Sequence, residues 1–216
     1  MPARMVALQE GLGGAPRVVR RGLSIFREGG QVEYIYKVVS GCLRTGRVLS
    51  DGTRLIDAFA FAGDIFGLEF GGVHRVTARA VTDCSLIAYQ VDRLRSSNET
   101  DLMLHEQVVR GALAGLERAQ NHILLLGRKS TPERLALFLL DMSVRLASGA
   151  PSFTLPMDRS DIADHLGMSA ETVSRVLTRF VRDGMLQVTQ KQVTLLDRPR
   201  LAALVTRQEV QADCAA

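Results

Sequence analysis

Arg159-Ser-Asp-Ile-Ala-Asp-His-Leu-Gly-Met-Ser-Ala-Glu-Thr-Val-Ser-Arg-Val-Leu-Thr-Arg-Phe180 decides how this chain is read. Two short amphipathic helices meet at Gly167, a residue that accepts a left-handed backbone without a Cβ clash. Ser160 is the expected N-cap of the first helix and Ser169 that of the second, since each hydroxyl can accept from a free backbone N–H. Ile162, Ala163 and Leu166 give the first helix an apolar stripe. Val173, Val176, Leu177 and Phe180 do the same for the second, at spacings of three and four. Its outer face carries Glu171, Ser174, Arg175, Thr178 and Arg182.

Helix pairs of this kind also occur in all-α proteins whose charged face is merely solvated, so the flanks matter. Asp183-Gly184 ends the second helix. Met185–Val188 and Gln192–Leu196 then alternate like two strands around Thr189-Gln190-Lys191. The whole reads as a winged helix-turn-helix. A carboxylate, a hydroxyl and a guanidinium on one short helix face suit the base edges of a DNA major groove. Glu171, Ser174 and Arg175 are therefore the candidate base readers. Arg159, Ser169, Thr172, Thr178, Arg179 and Lys191 are candidate backbone or accessory contacts.

Upstream, residues from about Pro16 to Gln90 read as β structure. Val32–Ser40, Cys42–Leu49, Arg54–Phe61, Arg75–Val81 and Cys84–Val91 are strand-like, and Gly-rich or Asp-Gly turns separate them at spacings near ten residues. That pattern fits an antiparallel barrel or jelly roll. The period then changes. Leu102, Val109, Leu116 and Ile123 recur every seven residues, with His105, Ala112, Ala119 and Leu126 three positions later. Two arrangements satisfy such a stripe: packing on the β domain, or a helix–helix seam between two copies. The 3.5-residue repeat favours the seam. Gly111 and Gly115 would weaken an isolated helix but permit close approach of a partner. Gly127-Arg-Lys129 reads as a hinge, and Ser130-Thr-Pro-Glu133 as a capping box opening a helix to about Leu146. Ser152–Leu155 is a possible short strand. The expected domains are a β-barrel over 1–100, a dimerisation helix and hinge over 101–128, and a winged helix-turn-helix over 129–216. The fold class is α+β.

The net charge of +4 is small and spread along the chain, so it does not locate a nucleic-acid surface. The placement of arginines in the reader does. No apolar run approaches the roughly 18 residues needed to span a bilayer, and Met1 to Gly14 lacks a signal-peptide layout. Cys42, Cys84 and Cys214 form neither a metal-ligand spacing nor an even disulfide set. A cytoplasmic location without membrane contact is expected. No phosphate loop, Ser/His/Asp grouping or zinc-protease motif is visible, so an enzyme is not expected. His105, His122 and His165 are expected to be packed or solvated.

A β-barrel, a long helix and a winged reader, in that order, resemble the CRP/FNR superfamily of transcription regulators. The likeness runs from about Pro16 to Leu204. It rests on Gly63-Asp-Ile-Phe-Gly67, the long helix and Glu171-Thr-Val-Ser-Arg175. Ser174 within Glu-x-x-Ser-Arg looks like the FNR and FixK branches, since the cyclic-AMP branch typically has Gly there. The resemblance implies a homodimer on double-stranded DNA. Glu171 and Arg175 would read a C·G pair and Ser174 a neighbouring T·A pair, within an inverted repeat of TTGAT-type half-sites. It also implies RNA polymerase as a partner and activation of low-oxygen genes.

Departures from the family bear on what is sensed. The Arg-Ser pair that holds a cyclic phosphate is replaced by His74-Arg75, and Leu68-Glu69 follows Gly67. Residues 1–41 contain no cysteine, whereas iron–sulfur ligation needs about four thiolates. Haem sensors of this superfamily use a His and an N-terminal proline, which His74 and Pro2 could mimic, but a lone surface-loop His is more often structural. No cofactor is therefore expected. The sequence is similar to the FixK subgroup, whose members commonly act without a small ligand. The alternative is a ligand-gated regulator or repressor with the same reader. Cys42 and Cys84 are expected to be packed strand residues, and Cys214 to lie in a tail.

Overall fold

The computed structural model describes residues 14–69, 71–92, 99–128 and 130–206. The chain divides into two compact units, one ending at Gln120 and one beginning at Asn121.

The first unit is a two-sheet antiparallel jelly roll. Its strands are β1 (Ala15–Val19), β2 (Ser24–Phe26), β3 (Tyr34–Ser40), β4 (Leu43–Val48), β5 (Arg54–Ala60), β6 (Ile65–Phe66), β7 (Thr77–Ala80) and β8 (Cys84–Gln90). One sheet runs β1-β8-β3-β6 and the other β2-β7-β4-β5. The five strands read from sequence are present with trimmed ends. The short strands β1, β2 and β6 are additional. Tyr36, Val38, Phe66, Leu86 and Ala88 from one sheet meet Leu43, Ala60, Ala78 and Ala80 from the other.

Helix α1 (Glu99–Arg128) follows the jelly roll. Leu104, fully buried, joins Ile35, Val39, Ile87 and Tyr89 on the outer face of the β3–β8 pair, with Val108 beside them. Both faces of β3 are thus covered, which is why its sequence is a near-continuous apolar run. Its one cation, Lys37, is half-buried, and its Nζ donates to Gln107 Oε1 at 2.9 Å. Burial pulls the Lys37 pKa down. The Gly63-to-Gly67 turn docks on the same helix. Asp64 Oδ2 accepts from Phe61 N at 2.8 Å, and Arg118 reaches Asp64 Oδ1 at 3.4 Å. A Cβ at Gly111 would lie 3.0 Å from Ile65 Cβ. The close approach expected of Gly111 is therefore to its own β domain and not to a partner helix.

Two further expectations are corrected. Gly127 and Arg128 continue α1 rather than forming a hinge; Lys129 lies outside the described residues. His74 is not on a surface loop but 3% exposed. Its ring stacks on Phe26 with centroids 3.6 Å apart and an 8° interplanar angle, beside Tyr36 and Phe66. Glu69 Oε2 lies 3.4 Å from its Nδ1 and accepts from Arg75 N at 2.7 Å. His74-Arg75 thus closes a packed turn. Cys42 and Cys84 are buried, Cys84 at the start of β8 and Cys42 just before β4. Cys214 and Pro2 lie outside the described residues.

The second unit contains α2 (Thr131–Ala147), β9 (Ser152–Thr154), α3 (Arg159–Leu166), α4 (Ala170–Arg182), β10 (Leu186–Thr189), β11 (Gln192–Leu195) and α5 (Arg198–Thr206). Ser130 N donates to Glu133 Oε2 at 3.0 Å, the reciprocal half of a capping box that starts α2. The wing strands pair as expected, and β9 adds to β11 as a third strand. Helix α5 had no sequence-based expectation, although Asp197 followed by Arg198-Pro199 is a helix-start signal. Asp197 Oδ1 accepts from Arg200 N at 2.9 Å, and Leu201 is fully buried.

Candidate nucleic-acid interface

The two helices of the reader are set by local chemistry. The N-cap of α3 is Asp158, not Ser160: its Oδ1 accepts from Asp161 N at 2.9 Å. Ser160 Oγ donates to the same oxygen at 2.7 Å, so it steadies the cap instead of providing it. Gly167 ends α3 at φ 60°, in the left-handed region, and its N–H donates to Ala163 O. Ser169 caps α4 as expected, accepting from Thr172 N at 3.1 Å, with the two hydroxyls 2.9 Å apart. Ile162, Ala163, Leu166, Val173, Val176, Leu177 and Phe180 are all buried, so both predicted stripes face the core. That packing leaves only one side of α4 for a ligand.

On that side Glu171, Ser174, Arg175, Thr178, Arg179 and Arg182 are exposed. Glu171 and Arg175 have no hydrogen bond or ion pair among the described residues. Both are solvated and uncommitted. Ser174 Oγ donates to Ala170 O at 2.9 Å and Thr178 Oγ1 to Ser174 O at 3.0 Å. Both hydroxyls therefore point outward as acceptors, and can donate to a ligand only by rotating. Arg179 and Arg182 both lean on Asp183, at 3.6 and 3.5 Å. Lys191 Nζ donates to Pro156 O at 2.9 Å. These three cations thus have partners within the chain, unlike Arg175. Arg159 is half-buried and lines a groove of about 270 Å³ with Ser174, Leu177, Thr178, Val181 and Val188. Burial lowers its pKa, yet a guanidinium stays charged. The groove joins the start of α3, the outer side of α4 and the wing. Val181 and Val188 were not anticipated as part of it.

The heptad residues of α1 are also on the surface. Leu102, Val109, Ala112, Leu116, Ala119, Ile123 and Leu126 are exposed, with Ile123 at 70% and Leu116 at 56%. Leu113 and Leu124 widen the same apolar strip. Leu104, Val108 and Gly111 hold the opposite side of the helix on the β domain. The expected stripe is not the one that packs on the chain's own sheet. His122 and His165 meet edge to face at 4.1 Å, and Phe138 lies 5.9 Å from His165.

A jelly roll, a long helix with an exposed heptad strip and a winged reader define a DNA-binding transcription regulator. Residues 16–100 match the cyclic nucleotide-binding domain and residues 133–204 the Crp-like helix-turn-helix domain. The nitrogen fixation regulation protein FixK of Azorhizobium caulinodans is 40% identical over 208 residues, covering 94% of this chain and 82% of that protein. FixK of Rhizobium meliloti is 35% identical over 187 residues, 85% of each. The structure of FixK2 from Bradyrhizobium japonicum superposes with a TM-score of 0.82 at 40% identity, covering 88% of this chain and 96% of that one. The chain belongs to the CRP/FNR family of transcription regulators, and within it is FixK-like. Its relatives are regulators and not enzymes, and no helix among the described residues is long and apolar enough to cross a membrane.

Proposed function

We propose that this protein is a homodimeric activator of low-oxygen genes, for microaerobic or anaerobic respiration, nitrogen fixation or denitrification. It acts in the cytoplasm on an inverted repeat of TTGAT-like half-sites. The carrying observation is the pair of uncommitted side chains, Glu171 and Arg175, with Ser174 between them on the exposed face of a helix whose other face is core. Glu171 accepts from cytosine N4, Arg175 donates two bonds to guanine O6 and N7, and Ser174 serves a neighbouring edge. Arg159, Ser169, Thr172, Thr178, Arg179 and Lys191 contact backbone or accessory positions; Arg179 and Lys191 first leave Asp183 and Pro156.

Functionally the chain divides into a sensor-like β domain (1–100), a dimerisation helix (101–128) and the reader (129–216). The exposed Leu102–Leu126 strip supports the dimer, because a monomer would leave a long apolar face in water. Two readers then enter successive major grooves about one turn apart, and the DNA-bound dimer recruits RNA polymerase. Selection of bound duplexes from a randomised pool tests this. Enrichment of inverted TTGAT-like repeats is expected, and enrichment of a single unrepeated site or of no sequence would refute it.

A further inference from the structure

We propose that Arg134 is the positioning residue that fixes the DNA reader to the end of the dimer helix, by capping two helix C-termini with one guanidinium. The proposal rests on the dimeric DNA-reading function above and names the contact that makes two readers act as one. A helix leaves its last four carbonyls without intrahelical partners, and they carry the negative end of its dipole. Arg134 projects from the first turn of α2 and meets two such ends. Its Nη2 donates to Leu126 O, in the last turn of α1, at 2.9 Å. Its Nη1 donates to Leu166 O at 3.0 Å and to Gly167 O at 3.4 Å, where α3 turns into α4.

Packing supports the same junction independently. A Cβ at Gly167 would lie 3.5 Å from both Leu126 Cδ2 and Arg134 Nη1. One turn earlier on α1, His122 meets His165 of α3 at 4.1 Å. The end of α1 and the reader's turn are thus held side by side, with a planar, permanently charged fork spanning them. No base-reading residue takes part in this link, and the heptad strip enters it through its last member, Leu126. Without it each reader would still fold on its own core and bind its half-site. The second half-site would gain less, because a loosely held second reader has a lower effective concentration at it.

The test uses the full-length protein with Arg134→Gln and Arg134→Lys variants. Binding is followed by fluorescence anisotropy on a duplex carrying two TTGAT half-sites and on the same duplex with one half-site scrambled. Wild type should prefer the two-site duplex. Both variants should lose about tenfold of that preference, the scale of charge-assisted bonds to two helix ends, and bind the one-site duplex within about twofold of wild type. Arg134→Lys keeps the charge but cannot span both helices, so it decides the matter if Arg134→Gln does not fold. An unchanged preference, or equal weakening on both duplexes, would overturn the positioning role. A wild type with no preference would overturn the dimeric reading, and this proposal with it.

Discussion

Leu116→Ala should separate dimerisation from folding on a single helix. Leu116 is 56% exposed in the isolated chain and lies mid-strip on α1. Burial of a whole leucine side chain is worth about 1.5–3 kcal/mol. About half of that surface remains to be buried, so truncation removes roughly 0.75–1.5 kcal/mol per protomer. Two-fold symmetry doubles it, giving about 1.5–3 kcal/mol per dimer, or roughly 10- to 150-fold in the dimer dissociation constant. Leu104→Ala, on the opposite face and fully buried, should instead cost about 2–5 kcal/mol of β-domain stability. Sedimentation equilibrium reads the first effect and thermal unfolding the second. Leu116→Ala should leave the unfolding of the β domain nearly unmoved. Loss of β-domain stability in Leu116→Ala with an unchanged dimer constant would refute the assignment of the two faces.

Three further outcomes are expected. Ser169→Ala removes the oxygen that accepts from Thr172 N and should cost the reader about 1 kcal/mol, seen by denaturant unfolding of the full chain. Lys191→Ala should weaken DNA binding about equally across sequences and reduce the salt slope by about 1, checked by titration at several salt concentrations. Burial holds the His74 pKa below the ordinary imidazole range despite Glu69. Its stabilising contribution is complete above the unfolded pKa of about 6.5, where both states are neutral, and declines as pH falls through that value because the unfolded state takes up the proton. Chemical denaturation between pH 8 and 5 should show that decline, and His74→Gln should flatten it.

The parts of this fold that repeat along one element were readable from the chain. The stripes of α3 and α4, the Gly167 turn, the Ser169 cap and the heptads of α1 each follow from spacing and residue type. What needed the structure was the choice between neighbours of equal chemistry. Asp158 and Ser160 are both good caps two residues apart, and only the extended backbone at Asp158 (φ −94°, ψ 178°) selects it. Gly111 reads as an interface residue until Ile65 is seen against it. His74 follows a Gly-Gly turn and reads as a loop residue, yet long-range packing on Phe26 buries it. In the site, the exposure of Glu171, Ser174 and Arg175 was legible from the period of α4. The pairing of Arg179 and Arg182 with Asp183 also lay within reach, since an acid four residues after Arg179 on a helix is a known pairing distance. Arg134 was not legible, because its acceptors at Leu166 and Gly167 are carbonyls distant in sequence that no side-chain pattern announces.

Whether the α4 face reads bases is decided by the affinity of wild type and Arg175→Ala for a TTGAT inverted repeat, and for the same repeat with its guanine pairs replaced by A·T. Wild type should lose about 1–3 kcal/mol per half-site on the altered repeat, while Arg175→Ala should lose clearly less, keeping only the share of the preference that Glu171 supplies at the cytosine. Equal weakening of Arg175→Ala on both duplexes, with discrimination intact, would make Arg175 a phosphate contact and not a base reader.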